Sequence, residues 1–131
     1  MATLKDLLQS ADWKTEKHVP VIDSSDKVKK GEALKLTVSV GKQIPHPNTT
    51  EHHISWIEVY FHLKQEKFPY QIGKFEFASH GASAQGPNTS TVYTNPEVAL
   101  SFKTEKAGVI LALSYCNIHG LWENSKEITV E

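Results

Sequence analysis

From Ala33 to Val40 the chain alternates apolar and polar side chains, so that Leu34, Leu36, Val38 and Val40 share one face. A period of two cannot make an amphipathic helix; it specifies a half-buried strand. Ile54 to Leu63 repeats the pattern, with Ile57, Val59, Phe61 and Leu63 pointing one way and Trp56, Tyr60 and His62 the other. Tyr70 to Phe77, Val98 to Phe102, Val109 to Tyr115 and Lys126 to Val130 add further candidate strands, and His18 to Ile22 another. Lys30-Gly31, Gly86-Pro87-Asn88, Asn95-Pro96 and Ala107-Gly108 supply turns between them. Helical spacing is confined to residues 3–10, where Leu4, Leu7 and Leu8 share a face. Together these runs predict an all-β antiparallel sandwich of about seven strands with a short N-terminal helix. A length of 131 residues suits a single domain over 1–131. The Gly-, Ser- and Asn-rich stretch Ser79 to Ser90 then reads as a surface loop, not a linker.

Charge and hydropathy remove several function classes. A formal net charge of -1 argues against a nucleic-acid partner. No apolar run approaches the roughly 18 residues that span a bilayer, which argues against a membrane partner. The N-terminal residues lack the apolar stretch of a signal peptide. One cysteine cannot form a disulfide within the chain and fits a reducing compartment, so a cytoplasmic location is expected. In that compartment the glycosylation patterns at Asn48 and Asn88 carry no meaning.

Seven histidines and one cysteine remain as metal-ligating material. Cys116 and His119 lie in a Cys-x-x-His spacing at the end of an apolar strand, with Gly120 free to turn the chain. Alone, that spacing also describes an inert buried thiol. His46 stands between Pro45 and Pro47, which restrict its backbone on both sides. His52 and His53 follow; neighbours in extended chain point apart, and His52 is the better candidate ligand. His18 precedes a strand, His62 sits on a strand face and His80 lies in the loop; for the last two the structural reading is preferred.

Glu16-Lys-His-Val-Pro20, His46-Pro-Asn-Thr-Thr-Glu-His-His53 and Ser114-Tyr-Cys-Asn-Ile-His-Gly-Leu-Trp122 resemble the three motifs of the one-iron superoxide reductases, the neelaredoxins. The motifs stand in the same order and span nearly the whole chain. The resemblance implies an immunoglobulin-like sandwich and a square-pyramidal Fe(II)/Fe(III) ion. It implies four equatorial imidazoles from His18, His46, His52 and His119, with an axial Cys116 thiolate. Glu16 and Lys17 would flank the open position as catalytic residues. It further implies superoxide as substrate, hydrogen peroxide as product, a rubredoxin-like electron donor and a homo-oligomer, tetrameric in similar proteins. The two-iron class has a second, cysteine-rich centre, which a single cysteine cannot supply.

Two other classes compete on composition. A blue-copper electron carrier is a β-sandwich with two histidines, a cysteine and a weak axial methionine, and the only methionine here is Met1. A non-catalytic immunoglobulin-like binding module would leave the histidine spacing without a role.

Overall fold

Ala33–Val40 forms strand β3 over the whole alternating run, and Leu34, Leu36, Val38 and Val40 are all buried. The computed structural model describes residues 1–131. The other elements are α1 (Leu4–Leu7), β1 (Pro20–Asp23), β2 (Lys27–Val28), β4 (Ile54–Leu63), β5 (Tyr70–Glu76), β6 (Glu97–Lys103), β7 (Gly108–Cys116) and β8 (Gly120–Val130). One sheet has the order β1-β3-β6; the other runs β2-β8-β7-β4-β5. Their inner faces share one apolar core. Leu36 and Val38 of β3 join Ile57, Val59 and Phe61 of β4, Ile110 and Ala112 of β7 and Ile128 of β8. Each of the larger buried side chains among them contributes about 1.5–3 kcal/mol over exposure. No helix is long and apolar enough to cross a membrane.

Three departures from the sequence reading have physical causes. Helix α1 is a single turn rather than residues 3–10, and Leu4 and Leu7 are exposed. A helix this short does not hold itself in water, and nothing packs against its leucines to extend it. Strand β8 begins at Gly120, well before Lys126, because β7 pairs with it from Gly108↔Ile128 to Cys116↔Gly120. Glu123, Asn124 and Ser125 are consecutive polar residues, so the ladder makes the strand where the pattern shows none. Strand β2 has two residues and pairs parallel with β8, which makes eight strands and adds one parallel pair to an otherwise antiparallel fold.

Two irregularities aim side chains at the end of the sandwich. The β4·β7 register slips between Ile54 and Trp56, leaving Ser55 as an extra residue on β4. That bulge changes the parity of the strand, so Ile54 and Ile57 both face the core. In β7 the inner positions are Gly108, Ile110, Ala112, Ser114 and Cys116. Both faces of that strand are apolar in sequence, and only the pairing decides which one is inside.

Candidate metal centre

Cys116 is the last inward-facing residue of β7 and is 0% exposed. Beyond it the chain turns through Asn117–His119 into β8, and Gly120 takes φ 84 to complete the hairpin. The His119 amide donates to Cys116 Sγ at 3.3 Å, which brings the ring over the sulfur, with Nδ1 3.7 Å from it. Trp122 Nε1 and Gln9 Nε2 both donate to the His119 carbonyl and fix the outer side of the turn.

His18 enters from the segment before β1 and is 6% exposed. Its backbone carbonyl accepts a hydrogen bond from the buried Ser114 hydroxyl at 3.0 Å, and its ring stacks on Trp122 at 4.9 Å. Nδ1 donates to Glu16 Oε1 at 2.5 Å, because a carboxylate can only accept, and this leaves Nε2 as the lone-pair atom. The same carboxylate accepts the His18 amide at 2.9 Å. Partial burial pushes the Glu16 carboxyl up, but the bonds from His18 outweigh it and hold the carboxyl below its ordinary value.

His46 and His52 come from the connection between β3 and β4, residues 41–53, which contains neither helix nor strand. The connection doubles back on itself at Gly41, whose φ is 88 and where a Cβ would lie 2.8 Å from the His46 nitrogen. His46 Nδ1 donates to the Pro47 carbonyl at 2.7 Å, so Nε2 carries the lone pair. That Nε2 is the one buried side-chain nitrogen or oxygen in the chain without a hydrogen-bond partner. Burial holds His46 down to about 4, with Pro47 opposing and the charges of His18, His52 and Lys17 reinforcing. His52 is lowered by burial first and then by His119 and Lys17. His53 points away: its Nδ1 donates to the Thr49 carbonyl and its ring stacks on His80 at 3.6 Å.

The four rings close into a square. Centroid separations are 4.7 Å for His18–His119, 5.0 Å for His119–His52, 4.6 Å for His52–His46 and 4.9 Å for His46–His18. The His18–His52 diagonal is 6.3 Å. His119 Nδ1 lies 3.1 Å from His18 Nε2 and 3.2 Å from His52 Nε2. Two nitrogens bound at right angles to one ion at about 2.1 Å would be about 3.0 Å apart, so these edges fit adjacent coordination positions. The ligand atoms of His18, His52, Cys116 and His119 lie within 4.8 Å of one another. His46 stands outside that tight group but completes the ring with its unpaired nitrogen. The donor set is therefore fit to hold a metal ion. Lys17 is half-buried beside it and forms no salt bridge.

The blue-copper alternative finds no support in this arrangement. Four imidazoles surround the centre where that site needs two, and Met1 is fully exposed at the chain end. Sequence reasoning also missed Ser114 and the stacking of Trp122 on His18. Neither residue carries a periodic or spacing signal of its own.

The desulfoferrodoxin family model matches residues 10–125. Pyrococcus furiosus superoxide reductase is 56% identical over 98% of this chain and 99% of its own length. Megalodesulfovibrio gigas neelaredoxin is 53% identical over 96% and 97%. The structure of Archaeoglobus fulgidus superoxide reductase (neelaredoxin) in the reduced form superposes with a TM-score of 0.87. It is 57% identical, covering 94% of this chain and 98% of that one.

Proposed function

The chain belongs to the desulfoferrodoxin family, and from that premise we propose that it is a superoxide reductase working at one iron ion held by His18, His46, His52, His119 and Cys116. The observation that carries this reading is the square of imidazoles beside a fully buried thiol, with His46 Nε2 lacking any other partner. Bound there, iron supplies the single electron that superoxide takes up.

The chain's own residues do the rest. Neutral imidazoles and one thiolate form a donor set that suits Fe(II) and accommodates Fe(III). Glu16 fixes the His18 tautomer by accepting from Nδ1, which is the common way a carboxylate orients a metal-binding imidazole. Its engagement there through Oε1 makes orientation its first role, and its second oxygen, Oε2, is left for the flanking role that the resemblance implies. Lys17 presents a positive charge, unneutralised by any carboxylate, to an anionic substrate, and raises its local concentration. Superoxide, one electron and two protons give hydrogen peroxide. His119 is exposed, so solvent reaches that side of the site as a source of those protons.

No dioxygen forms in this stoichiometry, so an outside donor must return one electron per turnover. By resemblance that donor is a rubredoxin-like protein. The chain acts as a single iron-binding domain over 1–131, in the cytoplasm, within a homo-oligomer of the tetrameric kind that the resemblance implies.

The decisive measurement is peroxide yield per superoxide consumed by iron-loaded protein supplied with reductant. One peroxide per superoxide, without dioxygen, is expected. Half that yield with dioxygen evolved would make the chain a dismutase instead. Purified protein that takes up no iron would remove the metal reading altogether.

A further inference from the structure

The connection that carries His46 and His52 has no ladder of its own, yet its turn Thr49–His52 is bound tightly from outside. Asn88, in the loop between β5 and β6, reaches back to it. Its Oδ1 accepts the Thr50 amide at 2.9 Å, and its Nδ2 donates to both Glu51 oxygens at 3.1 and 3.0 Å. These three bonds all go to two consecutive residues just before His52. The Asn88 backbone has φ 57, and no other non-glycine residue in the chain has a positive φ. Asparagine adopts that conformation more readily than most residues, and a residue held there marks a position its surroundings demand.

The far side of Glu51 is held as well. Its carbonyl accepts from Asn117 Nδ2 at 2.9 Å, and Asn117 Oδ1 accepts the His53 amide at 2.8 Å. Asn117 lies inside the Cys116–His119 turn. The Glu51 residue is thus gripped by Asn88 from one loop and by the cysteine hairpin from the other, with His52 next in the chain.

We propose that Asn88 is a positioning residue for the metal centre, clamping Thr50 and Glu51 so that His52 Nε2 stands beside His119 Nδ1 before an ion arrives. The proposal rests on the reading of the cluster as a metal site. It gives the stretch Ser79 to Ser90 a task that its loop-like composition hides.

The test is a Co(II) titration of the metal-free full-length chain, followed by the ligand-field and thiolate-to-cobalt absorption bands. Hydrogen exchange at the Thr50 amide is read alongside. Asn88→Ala and Asn88→Gly should each weaken Co(II) binding about ten-fold, shift the ligand-field bands and speed Thr50 exchange. Glycine takes a positive φ without strain, so a loss in Asn88→Gly belongs to the missing side-chain amide. If Asn88→Ala fails to fold, Asn88→Gly decides. Parent-like affinity and spectrum in a folded Asn88→Gly chain would overturn the clamp, whatever its unfolding midpoint. A parent chain that binds no Co(II) would overturn the metal reading and the clamp together.

Discussion

The candidate metal centre is built from two halves of different construction. Cys116 ends a strand, His119 sits in the hairpin that follows, and His18 is tied to that same strand by Ser114. These three residues inherit the rigidity of a paired sheet. His46 and His52 come from a connection with no ladder, and single side chains hold it: Asn48 donates to the Thr94 carbonyl, Asn88 grips Thr50 and Glu51, and Asn117 grips Glu51 and His53. The sheet half is held by cooperative backbone pairing. The loop half is held by amides, each of which can be removed alone. Damage to the first should therefore appear as lost fold stability, and damage to the second as lost metal affinity in a chain that still folds.

The largest effect should follow Cys116→Ser. The thiolate-to-iron absorption of the oxidised protein should vanish, and iron affinity should fall by more than the roughly 10–100-fold range of outer-shell changes. An absorption band that survives would mean the sulfur is not a ligand. Ser114→Ala then probes the sheet half. It leaves the His18 carbonyl unpaired next to the core, a loss of about 1–3 kcal/mol that a urea titration of the metal-free chain would register. If stability held and only metal affinity fell, Ser114 would belong with the loop half and the contrast would fail.

Gly41→Ala is the matching probe of the loop. Its Cβ would meet the His46 nitrogen at 2.8 Å in a left-handed backbone, a strain of about 1–3 kcal/mol. Relief of that strain must move His46, so metal affinity should drop along with stability; unaltered affinity would show that His46 is not held by this turn. Lys17→Ala should leave both halves standing. Its second-order rate with superoxide should fall by up to about ten-fold at low salt, with a flatter salt dependence. Equal rates at low ionic strength would end the steering role.

The most graded effect is with pH in the metal-free chain. His46 titrates at about 4 in the folded state because burial disfavours its charge. An unfolded imidazole titrates at about 6.5, so protons bind the unfolded chain first. The stability from this group is complete above about pH 6.5 and is lost progressively as the pH falls towards about 4. The urea midpoint should drop between pH 7 and pH 5, and His46→Ala should drop less. An identical decline in the variant would assign the effect to other groups.

How much of this was legible depended on whether a feature leaves a local pattern. Strand β3 was readable to its ends because alternation and burial coincide residue by residue. The histidines and the cysteine that the structure gathers into one cluster stand in motifs whose spacing survives folding, and the turn at Gly120 was readable too. The N-terminal half of β8 was not, since Glu123, Asn124 and Ser125 are polar and become strand only through β7. The inner face of β7 was equally hidden, with Val109 and Leu111 outside and Ile110 and Ala112 inside. Asn88 and Ser114 were invisible for a third reason. Each acts through a partner far away in the chain, and a single polar residue has no period to betray it.

The complete burial of Cys116 bears on how long such an enzyme can last. Hydrogen peroxide oxidises accessible thiolates to sulfenic acids and then, irreversibly, to higher oxides. A protein that releases peroxide at every turnover therefore generates the reagent that would destroy a thiolate at its own site. With no surface open to solvent, that sulfur is shielded from peroxide that has already left the site, and against that reagent catalytic lifetime becomes a property of the sandwich rather than of the thiol.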